Sequence, residues 1–123
     1  MYALRNKVQL IGNLGNEPEV RVTEKGRKWV RFSMATHAIY RDAQGSKKKD
    51  TQWHNLVAWG KLAELAEKYL QKGKEIAVEG KLVNRSYMDK EGIKRYVTEI
   101  AVTDVLLLGS ASSSLIGVGK VPD

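Results

Sequence analysis

Only one stretch of this chain carries the apolar period of a helix, and it sits inside a sequence otherwise written in alternation. Over 61–71, Leu62, Leu65, Ala66 and Tyr69 fall at i, i+3, i+4 and i+7 and make one stripe. Lys61, Glu64, Glu67, Lys68 and Gln71 take the solvent side, and Gly73 stands where a C-terminal cap belongs. Over 29–40 the pattern has period two. Val30, Phe32, Met34, Thr36 and Ala38 share one parity, and Trp29, Arg31, Ser33, Ala35 and His37 the other, which predicts a strand with one buried face. Residues 5–14 form a β-rich run that ends in a turn cluster over 12–16. An extended path resumes over 17–22, because the residue before Pro18 is kept out of the helical region. Residues 41–52 read as a loop holding Gly45, Ser46 and Lys47-Lys48-Lys49. Further strands are predicted over 52–59, 75–86 and 94–108, with a hairpin tip at Asp89-Lys90-Glu91-Gly92.

The order strand, strand, strand, helix, strand, strand predicts an all-β class. It matches an OB-fold, a five-stranded Greek-key barrel with one helix between strands 3 and 4. A chain of 123 residues is one domain's worth. Residues 1–109 are expected to fold, and 110–123, beginning Ser110-Ala111-Ser112-Ser113-Ser114, to form a short or truncated flexible tail.

Composition removes several classes. No run approaches the ~18 apolar residues of a membrane helix, and the first residues lack a leader's apolar core. There is no Cys, so no disulfide framework, thiolate zinc site or Cys nucleophile. That fits a reducing, cytoplasmic setting. His37 and His54 have no second ligand at metal spacing. The hydrolase elbow, the phosphate loop and the zinc-protease helix are all missing. The expectation is a protein without catalysis, metal or cofactor. The net charge is +7, all of it within residues 1–109, which favours an anionic partner.

The rings say what kind of anion. Trp53 and Trp59 share one strand parity, ~20 Å apart, with Asn55 and Val57 between them. His54, Leu56 and Ala58 point the other way. Tyr40 ends a strand beside the basic loop, and Tyr87 precedes the hairpin tip. Stackable rings among Lys and Arg are what an unpaired nucleic-acid strand requires, because bases stack on rings while cations follow the phosphates. The triple Lys47, Lys48 and Lys49 could line the backbone, and Lys7, Arg21, Lys61, Lys72, Lys81, Arg85 and Arg95 add scattered charge. An RNA-binding or replication-restart module, or a scaffold docking an acidic protein, fits the same residues.

Several motifs together resemble bacterial single-stranded-DNA-binding proteins, the SSB family. These are Asn6-Lys7-Val8, Ile11-Gly12-Asn13-Leu14-Gly15, Pro18-Glu19-Val20-Arg21, Ala35-Thr36, Tyr40-Arg41-Asp42 and Thr51-Gln52-Trp53-His54, followed by Gly60-Lys61-Leu62-Ala63-Glu64, Tyr69-Leu70, Lys72-Gly73 and Glu79-Gly80. The motifs run from Asn6 to Gly80, and the resemblance is taken to cover residues 6–109. The resemblance implies a homotetramer of OB-folds that binds single-stranded DNA without sequence preference, at the nucleoid, in replication, recombination and repair. It implies base stacking on Tyr40, Trp53, Trp59 and Tyr87, with Trp59 where Phe is common and the two Tyr where Trp is common. Lys7, Arg21, Lys61, Lys72, Arg85 and Arg95 fall on basic positions of the family pattern, whereas Asn55 stands where a basic residue is often found. His54 matches a position linked to subunit contacts. The family's acidic tip, which recruits replication and repair proteins, has no counterpart in Val121-Pro122-Asp123.

Overall fold

A computed structural model of the chain describes residues 4–108, so the expected tail over 110–123 lies outside the described residues. Its elements are β1 (Val8–Leu14), β2 (Glu19–Val22), β3 (Lys28–Arg41), β4 (Lys47–Trp59), α1 (Lys61–Tyr69), β5 (Glu75–Met88) and β6 (Lys94–Leu107). Five strands close a barrel in the order β1-β5-β6-β4-β3, and β3 returns to β1 through Asn13↔Ala35 and Leu14↔Met34. The β4–β6 seam is parallel, pairing Leu56 with Ile100 and Val57 with Ala101. The short β2 extends the sheet along β3. The bend between β1 and β2 is held by Asn16, whose Oδ1 accepts from Ser33 N at 2.8 Å and Ser33 Oγ at 2.6 Å.

The predicted parity of β3 is the inner wall. Val30, Phe32 and Met34 are buried, and Leu56, Ala58, Ile76, Val78, Ile100 and Val102 meet them from the other strands. The helix plugs this core with Ala63, Ala66 and Leu70 and, in part, Leu62. Tyr69 does not belong to the buried stripe: it is exposed, beneath the Lys68 ammonium. Two alanines let the helix approach closely, which rotates the contact away from Tyr69. The helix stops at Tyr69, and extended Leu70 caps it by donating its N–H to Ala66 O. Gly73 is therefore not the cap. Its φ of +88° serves the turn into β5, where its N–H donates to Leu14 O at 2.8 Å.

Of the two glycines assigned to a turn cluster, Gly12 is strand and Gly15 lies in the bend, and both also serve close approach. Gly12 lies within β1, where a Cβ would sit 2.0 Å from Ala35 O. Gly15 follows β1, and a Cβ there would meet the Trp53 ring at 2.4 Å.

The segment expected as a loop over 41–52 is mostly strand. β3 and β4 pair out to Arg41↔Lys47, so Lys47, Lys48 and Lys49 lie in a hairpin arm. The turn is only Asp42–Ser46. Asp42 Oδ1 accepts from Gln44 N and Ser46 N, while Gly45 takes φ +80°. The same device closes β5–β6, where Asp89 Oδ1 accepts from Glu91 N and Ile93 N and Gly92 has φ +79°. It recurs before β3, with Thr23 Oγ1 accepting from Arg27 N and Gly26 at φ +84°. A side-chain acceptor at the first position and a left-handed Gly at the fourth make each turn tight. Cross-strand pairing then carries the lysines as strand, whatever their local preference.

Candidate nucleic-acid interface

The odd-numbered side chains of β3 and β4 and those of the distal halves of β5 and β6 share the outer face of the barrel. Trp29 and Trp59 are directly opposed in the β3–β4 register. Such pairs bring side chains within contact, and here the rings stack at 5.6 Å between centroids and 23° between planes. The Arg27 guanidinium lies 4.4 Å from the Trp59 centroid, and that of Arg31 5.5 Å from the Trp29 centroid. Beside this stack Arg85 grips Glu99 in two parallel bonds, Nε to Oε1 and Nη2 to Oε2, each 2.9 Å. Glu99 is the one buried charged residue among those described, 7% exposed. The Arg85 hydrogen bond, opposed by partial burial, holds the Glu99 carboxyl below its ordinary value and raises Arg85 in return.

Two adjoining cavities open on this face. One, of about 360 Å³, is lined by Trp29, Trp59, Val57, Val83 and Ala101 together with Arg31, Arg85 and Glu99. The other, of about 550 Å³, shares the last three and adds Asn55, Tyr87 and Val97.

The expected rings therefore have different settings. Trp53 is the freest, 64% exposed, with one edge of its ring lying against Gly15. Trp59 is only 37% exposed and already stacked. Tyr87 is half exposed at the edge of the larger cavity. Tyr40 lies on the arm opposite Lys48, on the pleat face away from the Trp53 side. Tyr40 thus does not share the surface of the other three rings.

The candidate cations divide as well. Lys7 pairs with Glu79 at 3.0 Å, Lys48 with Asp42 at 3.9 Å, Arg85 with Glu99 and Arg95 with Asp89 at 2.9 Å. Asp89 is held below its usual carboxylate value, first by the Ile93 N–H and then by Arg95. Among the described residues Arg21, Lys47, Lys49, Lys61 and Lys72 make no ion pair, and Lys47 and Lys49 project on the exposed arm. His54 lies on the inner parity of β4, half-buried, with Nε2 2.9 Å from Thr36 Oγ1.

Sequence reasoning did not nominate Arg27, Trp29, Arg31 or Glu99 for the site. The available signal was the alternation of Trp29 and Arg31 on the outer parity of a strand whose other parity runs Val30, Phe32, Met34. No helix among the described residues is long and apolar enough to cross a membrane.

A model of the single-strand binding protein family matches residues 5–108. Single-stranded DNA-binding protein 1 of Chlorobaculum tepidum is 48% identical over 109 residues, 88% of this chain and 67% of that protein. The single-stranded DNA-binding protein of Xanthomonas campestris is 40% identical over 104 residues, 85% of this chain, which spans only 60% of that relative's length. Among solved structures, the Plasmodium falciparum SSB complex with ssDNA superimposes with a TM-score of 0.78 at 33% identity, over 84% of this chain and 94% of that one. With an all-β barrel, a single plugging helix and near-complete coverage of the described residues, the chain belongs to the single-strand binding protein family.

Proposed function

We propose that this protein binds single-stranded DNA without sequence preference and shields it during replication, recombination and repair. The observation that carries the reading is the outer barrel face, where Trp59 and Tyr87 each border one of two open cavities, Trp53 stands exposed on the same face, and the adjoining arm bears unpaired Lys47 and Lys49. Bases stack on these rings, and on Tyr40 from the arm, each stack contributing ~1–3 kcal/mol. Arg21, Lys47, Lys49, Lys61 and Lys72 neutralise phosphates directly, and Lys7, Lys48 and Arg95 first exchange an acidic partner for a phosphate, while Arg85 stays bound to Glu99. Binding is non-catalytic.

We infer the Greek-key OB order as well. In support, α1 follows the third of the five barrel strands, and β4 and β6, which are not consecutive, run parallel. The chain works as a homotetramer in the cytoplasm, at the nucleoid, with His54 near a subunit contact. Its half-buried ring on the inner parity is compatible with that role.

A labelled oligo-dT titrated by fluorescence anisotropy tests the reading. Tight binding at low salt is expected, with log affinity falling by ~0.7 per phosphate contact against log salt. Equal affinity for duplex of the same length would sink it. An oligo-rU of equal length separates DNA from RNA preference through the 2′-hydroxyl, and sedimentation of the intact protein checks the tetramer.

A further inference from the structure

The middle of the outer face holds a charge arrangement that phosphate neutralisation does not use. A carboxylate stands between two arginines. Glu99 is nearly enclosed, and Arg85 occupies one side of each of its oxygens. A carboxylate oxygen has a second lone pair to offer. Arg31 Nε is the one buried side-chain nitrogen or oxygen, among the described residues, with no hydrogen-bond partner. A buried donor left unmade is costly and marks a place prepared for an acceptor. Arg31, Arg85 and Glu99 line both cavities, so the wall of each recess carries one carboxylate and two guanidinium groups. The floor of the smaller one is apolar, made by Val57, Val83 and Ala101. A phosphate entering either recess would meet the Glu99 charge, whereas a neutral base would meet rings, an apolar floor and a matched polar end.

We propose that the Arg31–Glu99–Arg85 cluster recognises the Watson–Crick edge of an unpaired base, Glu99 accepting from a base N–H and Arg31 Nε donating to the adjacent base acceptor. This rests on the single-strand reading above and deepens it. All four bases carry such a neighbouring pair: adenine N6–H beside N1, cytosine N4–H beside N3, guanine N1–H beside O6, and thymine N3–H beside O4. The cluster therefore tolerates any sequence. In a duplex the same edge is taken by the partner base. The site thus rejects paired strands by hydrogen-bond chemistry as well as by shape, and Glu99 keeps the two arginines from acting as a phosphate site.

The test compares a short oligo-dT with the same oligomer methylated at every thymine N3, which keeps each phosphate and a stackable ring but removes the donor. The wild-type protein is expected to bind the methylated strand about tenfold more weakly, the size of one lost charge-assisted hydrogen bond, with the salt slope unchanged. Glu99→Ala is expected to bind both strands alike. Should that variant fail to fold, Glu99→Gln, which keeps the shape but loses the charged acceptor, is expected to narrow the gap between the two strands. Equal affinity of the wild type for the two strands overturns the proposal, as does a gap that persists undiminished in the variants. If neither strand is bound better than duplex, the parent reading fails and this one with it.

Discussion

The outer groove and the hairpin arm share β3 and β4, the groove adding the distal halves of β5 and β6, yet they treat charge in opposite ways. In the groove Arg85 is tied to Glu99 by two bonds, and Arg27 and Arg31 lie over indole rings. On the arm, beyond the barrel, Lys47 and Lys49 have no ion pair among the described residues and both pleat faces meet solvent. The lesson is that net charge is a poor guide to where phosphates go. A tied cation must be released before it can serve, while a free one on a projecting arm needs only a small side-chain adjustment.

The comparison can be broken most sharply at the ring stack. Trp59→Ala removes one stacking surface and strips Trp29 of its partner. It is expected to weaken oligo-dT binding by ~1–3 kcal/mol, about five- to 150-fold, with the salt slope intact. Replacing Lys47 and Lys49 together by Ala should do the reverse. The slope of log affinity against log salt should shrink by about 1.4 while stacking persists, whereas Arg85→Gln should leave that slope nearly unchanged. A slope that falls equally in both variants would erase the distinction between groove and arm.

Gly15→Val sits where the two regions meet. Its side chain would strike the Trp53 ring and Ser33 Oγ, at 2.4 and 2.7 Å from the ideal Cβ. The expected result is a several-fold loss of affinity with little change in melting, because Trp53 is displaced outward and the core is untouched.

Asp42→Ala should cost about 1 kcal/mol of stability, by removing the acceptor of two turn N–H groups, and should loosen the arm in hydrogen exchange. Least in size is the acid response. Glu99 has its folded pKa below the ordinary 4.5, chiefly through the Arg85 hydrogen bond. Its contribution to stability is thus present above about pH 4.5 and is lost as pH falls through the lower folded value. Glu99→Gln should flatten that part of the acid unfolding curve measured by circular dichroism.

Much of this architecture was legible in the residues. The inner wall of β3 follows from the parity of Val30, Phe32 and Met34, because alternation reports burial directly. The helix was legible, but not its exact contact face: the stripe Leu62, Leu65, Ala66, Tyr69 and the observed set Leu62, Ala63, Ala66, Leu70 differ by a small rotation that only the core's shape decides. The arm was not legible. Lys47-Lys48-Lys49 has no local reason to be strand and becomes one through Arg41, Tyr40 and Ile39, its partners six to ten residues away across the turn. The Trp29–Trp59 stack depends on register across 30 positions, and Arg85–Glu99 joins different strands. Periodicity sees which face a side chain takes, not which neighbour it finds there.

The Trp29–Trp59 stack also fixes how this protein answers to light. Two indoles at 5.6 Å share their excited states, while Trp53 stands apart in solvent. The chain therefore carries two separate optical addresses. The coupled pair should give an exciton couplet in circular dichroism, and the lone ring a red-shifted emission. A strand that covers only the arm side would quench the emission and leave the couplet. One that enters the groove would change both, so a single cuvette could tell where along the protein the DNA lies.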